Sequence, residues 1–341
     1  MMMAGALLLG SVPARAQLTG VEFQETRGLT DAIGQRALAP ALPEVRGLRL
    51  WSSLSYNHLD EGPRVRRHTD LYQPVIGADL WQGRVLLGAA AAASLSQASR
   101  SGFSSVSSYD SGPAEYLTRT TYISATGSDN TLRTAFSIAP YAAVSVTDAV
   151  HLSATVGYTH AEDRVRCCRS DFSIVTEYLG PGYSSLGLSR VSSSTDRFAG
   201  FRYNNNTNTV LADTAANLTV PVPGTAITLG GRLGYRFSNT WFQGASGGGD
   251  GYGSGTAYLG IGASYRIGHF HPYARMQWEY TNPTTGYYSV NGKVDRDALY
   301  LIGGLEYLVT DRLGVGLQAL TQQLTPSVSN RQIAVALRHA F

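Results

Sequence analysis

Four ionisable residues fall near the ends of apolar segments, where a histidine and an acid could meet at a rim: His58, His68, His160 and Asp163. A His/acid pair is the minimum for general-base hydrolysis, but no serine or other nucleophile motif accompanies these residues. A histidine at the edge of a strand is ordinarily a solvated loop residue, so no catalytic residue is assigned and the chain is not read as an enzyme. Cys167 and Cys168 are adjacent, and neither zinc spacing nor a disulfide framework can be built from one such pair. A strained vicinal disulfide, a bond to another molecule and two inert loop thiols all stay open. The glycine run Gly244–Gly255 lacks a Lys-Ser/Thr and precedes a strand, so it is no phosphate loop. No metal cluster and no cofactor are expected. A formal charge of +3, dispersed along the chain, gives no basis for nucleic-acid binding.

More informative is how the charges are sorted. Along one predicted segment Ile227, Leu229, Leu233, Tyr235 and Phe237 share one parity, while Thr228, Arg232 and Arg236 share the other. Along another, Phe270, Ala274, Met276, Trp278 and Tyr280 oppose His271, Tyr273, Arg275, Gln277 and Glu279. Extended over the chain, the polar parity collects Arg49, Asp79, Arg84, Arg133, Asp213, Arg232, Arg236, Arg266, Arg275, Glu279, Glu306 and Arg338. A lipid-facing arginine at mid-membrane costs roughly 2–4 kcal/mol, so this sorting assigns the twelve residues to a wet lumen and the apolar parity to lipid. Eight arginines against four carboxylates leave two readings. Unpaired guanidinium groups would favour anions in the lumen; paired ones would form a salt-bridge network that stiffens the wall.

Such sorting requires long strands closed into a barrel. Period-2 runs bounded by turn residues predict twelve strands, at about 47–58, 70–82, 84–97, 131–147, 150–160, 205–220, 225–242, 255–267, 270–281, 296–309, 313–324 and 330–341. The fold class is therefore all-β, a closed antiparallel transmembrane barrel. Alternate connections are tight: Gln82-Gly83-Arg84, Thr147-Asp148-Ala149, Pro221-Val222-Pro223-Gly224, Gly268-His269 and Thr310-Asp311-Arg312. The others are longer: Asp60–Thr69, Ala98–Asn130, Ala161–Asn204, Gly244–Ser254, Asn282–Asp295 and, modestly, Thr325–Ser329. Short turns at one end and long loops at the other are the rhythm of an outer-membrane barrel with both termini in the periplasm. Ser104–Tyr109 and Tyr116–Ala125 are kept in an external loop, because their faces carry no sustained apolar stripe; if they crossed, the count would be fourteen.

Composition agrees, with 38 glycines, 20 tyrosines and only 15% charged residues. Small residues suit a crowded lumen, and Tyr72, Tyr158, Tyr235, Trp278, Tyr280 and Phe341 fall on the lipid parity near strand ends, as an interfacial aromatic girdle would. No apolar run reaches the length of about 18 that a transmembrane helix needs. A secreted soluble β-protein is the alternative.

Residues 1–16 read as a signal peptide, with an apolar stretch Ala4–Leu9 and a small-x-small site at Ala14-Arg15-Ala16, although no Lys or Arg precedes the stretch. Residues 17–46 form an N-terminal segment before a barrel spanning 47–341. Within it Val21–Ala39 predicts a short helix with Phe23, Leu29, Ile33 and Leu38 on one side, ended by Pro40 and Pro43. It could plug the lumen or serve as a periplasmic linker.

At the C-terminus Ile333, Val335, Leu337, His339 and Phe341 share the outward parity. Ending on phenylalanine resembles the signal by which Gram-negative outer-membrane proteins are handed to their insertion machinery. With a signal peptide, a short helix and twelve strands, and with the phrases Ile138-Ala139-Pro140-Tyr141, Val156-Gly157-Tyr158-Thr159 and His271-Pro272-Tyr273-Ala274, residues 45–341 resemble the β-domain of autotransporters, the type V secretion proteins. The resemblance implies an outer-membrane location, with lipid, periplasmic chaperones and the insertion machinery as partners. It departs from the family in that only about thirty residues separate signal from barrel, leaving almost no passenger. Residues 17–46 contain no Asn, so the self-cleavage of some family members is not expected. The expected role is a barrel displaying external loops to an unknown surface ligand; the alternative is a passive anion-favouring channel.

Overall fold

The computed structural model describes residues 19–37, 47–61, 66–110, 118–179, 190–198, 201–243, 251–285, 296–323 and 328–341. The predicted signal peptide therefore lies outside the described residues. One helix, α1 (Thr19–Ala37), precedes strands β1 (Gly47–Glu61), β2 (Arg66–Gln82), β3 (Val85–Asp110), β4 (Thr118–Ser145), β5 (Val150–Leu179), β6 (Arg190–Phe198) and β7 (Phe201–Pro221). Then follow β8 (Ile227–Gln243), β9 (Gly251–Tyr265), β10 (Phe270–Thr285), β11 (Asp297–Leu308), β12 (Leu313–Gln323) and β13 (Val328–Ala340).

Every ladder is antiparallel, and the ring closes because β1 pairs with both β2 and β13 while β4 pairs with β5. Twelve strands make the ring. The thirteenth, β6, stands outside it: β5 pairs with β7 from Val150 to Cys167 and with β6 from Ser170 to Tyr178. The short connections sit where period and turn chemistry put them, and Gly83, Gly224 and Gly268 in three of them take positive φ, which glycine adopts without steric cost.

The opposite end differs from expectation. β3, β4 and β5 run to 26, 28 and 30 residues, well past the 9–11 or so that a tilted membrane strand requires. Residues 98–110, 118–130, 161–179 and 190–198 are thus strand, one hairpin system prolonged beyond the ring, and Ser104–Tyr109 continues β3 and adds no strand to the ring. Beyond the apolar zone, backbone ladders persist without an apolar face, so Ser/Thr-rich stretches remain paired. Bulges mark the passage, at Ser101/Phe103 and at Ser128/Asp129, where Ser128 pairs with Arg169 and Asp129 with Cys167. The cysteine pair falls on this part of β5, and its side chains lie outside the described residues.

The two faces of the wall match two solvents. All twelve ring strands expose large apolar side chains outward, among them Leu54, Ile76, Leu87, Phe136, Val156, Leu233, Ile261, Leu317 and Ile333. An apolar band continuous around the circumference is far beyond what a water-soluble monomer presents, which removes the secreted soluble alternative. Inward, four aromatic rings each lie across the ladder from a glycine: Trp51 over Gly77, Tyr141 over Gly88, Tyr258 over Gly234 and Tyr273 over Gly304. A Cβ at any of these glycines would strike the ring, so the glycine surplus makes room for aromatic side chains in a narrow lumen.

Candidate functional site: the occupied lumen

α1 lies inside the ring, two residues ahead of the predicted bounds at each end. Its carboxylates and guanidinium reach opposite walls. Glu25 accepts from Arg133 of β4 (Nε to Oε2, 3.0 Å) and from Ser94 of β3 (2.7 Å), and Gln73 of β2 donates to its backbone carbonyl at 2.9 Å. Arg27 meets Glu279 of β10 and Asp31 of its own helix, each at 3.3 Å, with its guanidinium carbon 3.2 Å from the centre of the Tyr300 ring on β11. Asp31 faces Arg236 at 3.6 Å and Arg232 at 4.0 Å, both on β8. Near the other end of the chain, Asn330 of β13 donates to Gln24 at 2.9 Å. Strands on all sides of the ring therefore hold one helix.

Between the ionic grips an apolar face seals the helix against one side of the wall. Leu29 is fully buried and Ile33 nearly so, packed among Trp51, Val75, Leu86, Ala139, Tyr141 and Leu211. Gly28 permits the close approach to β2, since a Cβ there would overlap the Gln73 amide that binds Glu25. Burying the two helix residues is worth about 1.5–3 kcal/mol each, and the charged contacts supply direction more than net stability.

Of the twelve residues predicted for the lumen, ten stand on the inner face. Arg49 pairs with Asp79 (2.5 Å), which also accepts from Tyr141 at 3.0 Å. Arg338 pairs with Glu306 at 2.6 Å, and Arg236 with Asp213 at 3.3 Å. Tyr258 donates to Asp213 at 2.6 Å and accepts from Arg232 at 3.2 Å. Arg133 bridges Glu25 and Asp163, and Glu279 meets Arg27. Arg275 lines a cavity of about 360 Å³ with Gly34, Arg232, His271, Tyr273 and Glu306; its Nε and Nη2 have no hydrogen-bond partner among the described residues. Arg84 and Arg266 are elsewhere: both are exposed in or beside the tight turns, where parity no longer assigns a face.

Asp163 is a second correction. It is fully buried and ion-paired to Arg133 at 3.1 Å, while the neighbouring His160 points to the outer face and contacts Asn208 at 2.9 Å. Parity puts the two on opposite sides of β5, so they make no dyad. Asp163 lies three residues past the predicted strand end at 160; β5 continues through it, and the register sets Asp163 directly opposite Arg133. Arg67, also buried on β2, was hidden by a predicted strand start at 70. The outward set Ile333, Val335, Leu337 and Phe341 is exposed, and His339 is half-buried with its ring 4.5 Å from that of Phe341. Of the aromatic girdle, Tyr72, Tyr158, Tyr235 and Trp278 are exposed and Tyr280 is half-buried.

The twelve-stranded ring is similar in fold to solved translocator domains of autotransporters. The translocator domain of autotransporter NalP from Neisseria meningitidis superposes with a TM-score of 0.62 at 11% identity, covering 96% of this chain and 99% of that one. The β-domain of the Bordetella autotransporter BrkA gives 0.53 at 11% identity, covering 86% and 100%. For the transport unit of the autotransporter AIDA-I from Escherichia coli the score is 0.52 at 15% identity, with 93% and 98% covered. No protein-family model matches the chain, and none of the curated proteins does. The likeness is one of fold.

Proposed function

We propose that this chain is an outer-membrane barrel of the autotransporter translocator type, held shut by α1, that displays the prolonged β3–β6 sheet at the cell surface. The observation that carries the reading is the clamped helix: Glu25, Arg27 and Asp31 each find an opposite charge on the wall while Leu29 and Ile33 bury in it. The outer wall supports a membrane setting, and the sorting of short turns to one end supports an orientation with β3–β6 outside.

The plug also weighs on the channel alternative. Among the described residues the wall carries more guanidinium than carboxylate, and the described side chains of α1 bring two carboxylates for one guanidinium to meet it, so much of the positive charge that would attract anions is already engaged. Planar-bilayer conductance separates the two. The full chain should be nearly silent and a variant lacking residues 17–46 should conduct strongly; steady, anion-selective conductance with α1 present would favour the channel instead. Protease shaving of intact cells should release peptides from within residues 98–204 if the β3–β6 sheet faces outward.

A further inference from the structure

The ends of β1 and β2 away from the short turns carry a second ionisable cluster, outside the lumen and unused by the plug. His58 and Asp60 are two residues apart on β1, His68 and Asp70 on β2, and the register sets His58 opposite Asp70 and Asp60 opposite His68. Period 2 puts all four on the outward face, one step beyond Tyr56 and Tyr72, whose ring centres lie 5.0 Å apart. All four are partly exposed and reachable from solvent.

Their hydrogen bonds order the cluster. His58 Nδ1 lies 2.8 Å from Asp70 Oδ1, the same atom that accepts from the Tyr56 hydroxyl at 2.7 Å. An ionised carboxylate only accepts, so Nδ1 is the donor of this pair, and in that neutral tautomer Nε2 is the ring atom left with a lone pair for a metal. That Nε2 is 3.4 Å from Asp60 Oδ2, and His68 Nδ1 is hydrogen-bonded to Asp60 Oδ1. One donor atom from each of His58, Asp60 and His68 lies within 4.8 Å of the other two. Bonds of about 2.1 Å in a tetrahedron place ligand atoms about 3.4 Å apart, so small rotations of these half-exposed side chains suffice to close on an ion.

We propose that His58, Asp60 and His68 form a divalent metal site of the zinc class on the outer rim of the barrel, with Asp70 as a positioning residue for His58 and the fourth coordination position facing solvent. Two imidazoles and a carboxylate are zinc donors, whereas calcium and magnesium take oxygen ligands. Asp70 behind His58 reproduces the carboxylate-histidine-metal arrangement that fixes a ligand's tautomer and orientation. The sequence signal is H-x-D, seven residues, H-x-D, folded on itself by a hairpin. No metal cluster was expected from sequence because the two halves become neighbours only through the β1–β2 register.

The test uses the full chain without a polyhistidine tag, refolded in detergent and titrated with ZnCl2 by calorimetry, with metal counted by mass spectrometry after gel filtration. The wild type should bind one Zn²⁺ that a tenfold excess of Mg²⁺ or Ca²⁺ does not displace. His58→Ala and His68→Ala should each weaken binding by more than about tenfold, and Asp70→Asn by about 10–100-fold. Heat-modifiable gel mobility reports whether each variant folds, and Co²⁺ bound to the wild type should give visible absorption bands of imidazole ligation without any variant. Absence of Zn²⁺ binding by the wild type, ready displacement by Mg²⁺, or equal binding by the folded His58→Ala/His68→Ala double variant overturns the proposal.

Discussion

The outer and inner faces of this barrel are made from alternate residues of the same strands, yet they obey different rules. Outside, Leu54, Leu87, Leu233 and Leu317 are each more than half exposed, and any apolar group of similar size satisfies lipid. Inside, Arg133 has a defined place for each end of its fork, with Glu25 on the helix, Asp163 on β5 and the Thr207 hydroxyl on β7 at 3.1 Å. One face is specified by solvent and the other by named neighbours. Substitutions should therefore be tolerated by class outside and by identity inside.

The contrast is broken most severely at the hub. Arg133→Met should cost about 3–5 kcal/mol, because it strands the Glu25 and Asp163 carboxylates in a dry interior. Denaturant titration followed by heat-modifiable mobility should read that loss, and bilayer recordings should show frequent opening as the helix loses one anchor. A loss under 1 kcal/mol, on the order of a surface pair, would mean that water reaches the hub.

Outside, Leu233→Arg near the middle of β8 should destabilise by about 2–4 kcal/mol in lipid and much less in a loosely packed detergent, where the guanidinium can find water. Equal stability in both media would argue that this face does not meet the hydrocarbon. The smallest effect sharpens the rule: Leu233→Ile should cost less than about 1.5 kcal/mol of unfolding free energy, since the swap conserves apolar volume. A larger loss would point to an unrecognised protein contact on the outer wall.

Legibility in the sequence follows the same division. Strand identity, strand number, short turns and the sidedness of Arg232, Arg236 and Arg275 were all readable, because alternation against lipid leaves a period-2 record in residue type. Strand length beyond the apolar zone left none: with Ser and Thr on both faces of 104–110 and 118–125, the ladder that continues there is a backbone property. Ion partners were equally hidden. Glu25 and Arg133 are 108 residues apart, and nothing local in either segment names the other. The helix itself was visible in outline, with Leu29 and Ile33 on one side, but its position inside the ring rests on walls that surround it only after closure.

Arg49 pairs with Ala340, and the Phe341 amide donates to the Leu48 carbonyl at 3.0 Å, so the seam of the ring joins the start of the barrel to its end. No circular ladder can exist without β13, which closes the ring on β1. Without β13 the remaining ring strands would form an open trough, wide enough for α1 to be laid in sideways instead of being pushed lengthwise through a finished cylinder. A chain clipped by a single strand at its C-terminus would keep the trough and lose the cylinder, leaving β1 as a bare edge and the helix uncovered along one flank.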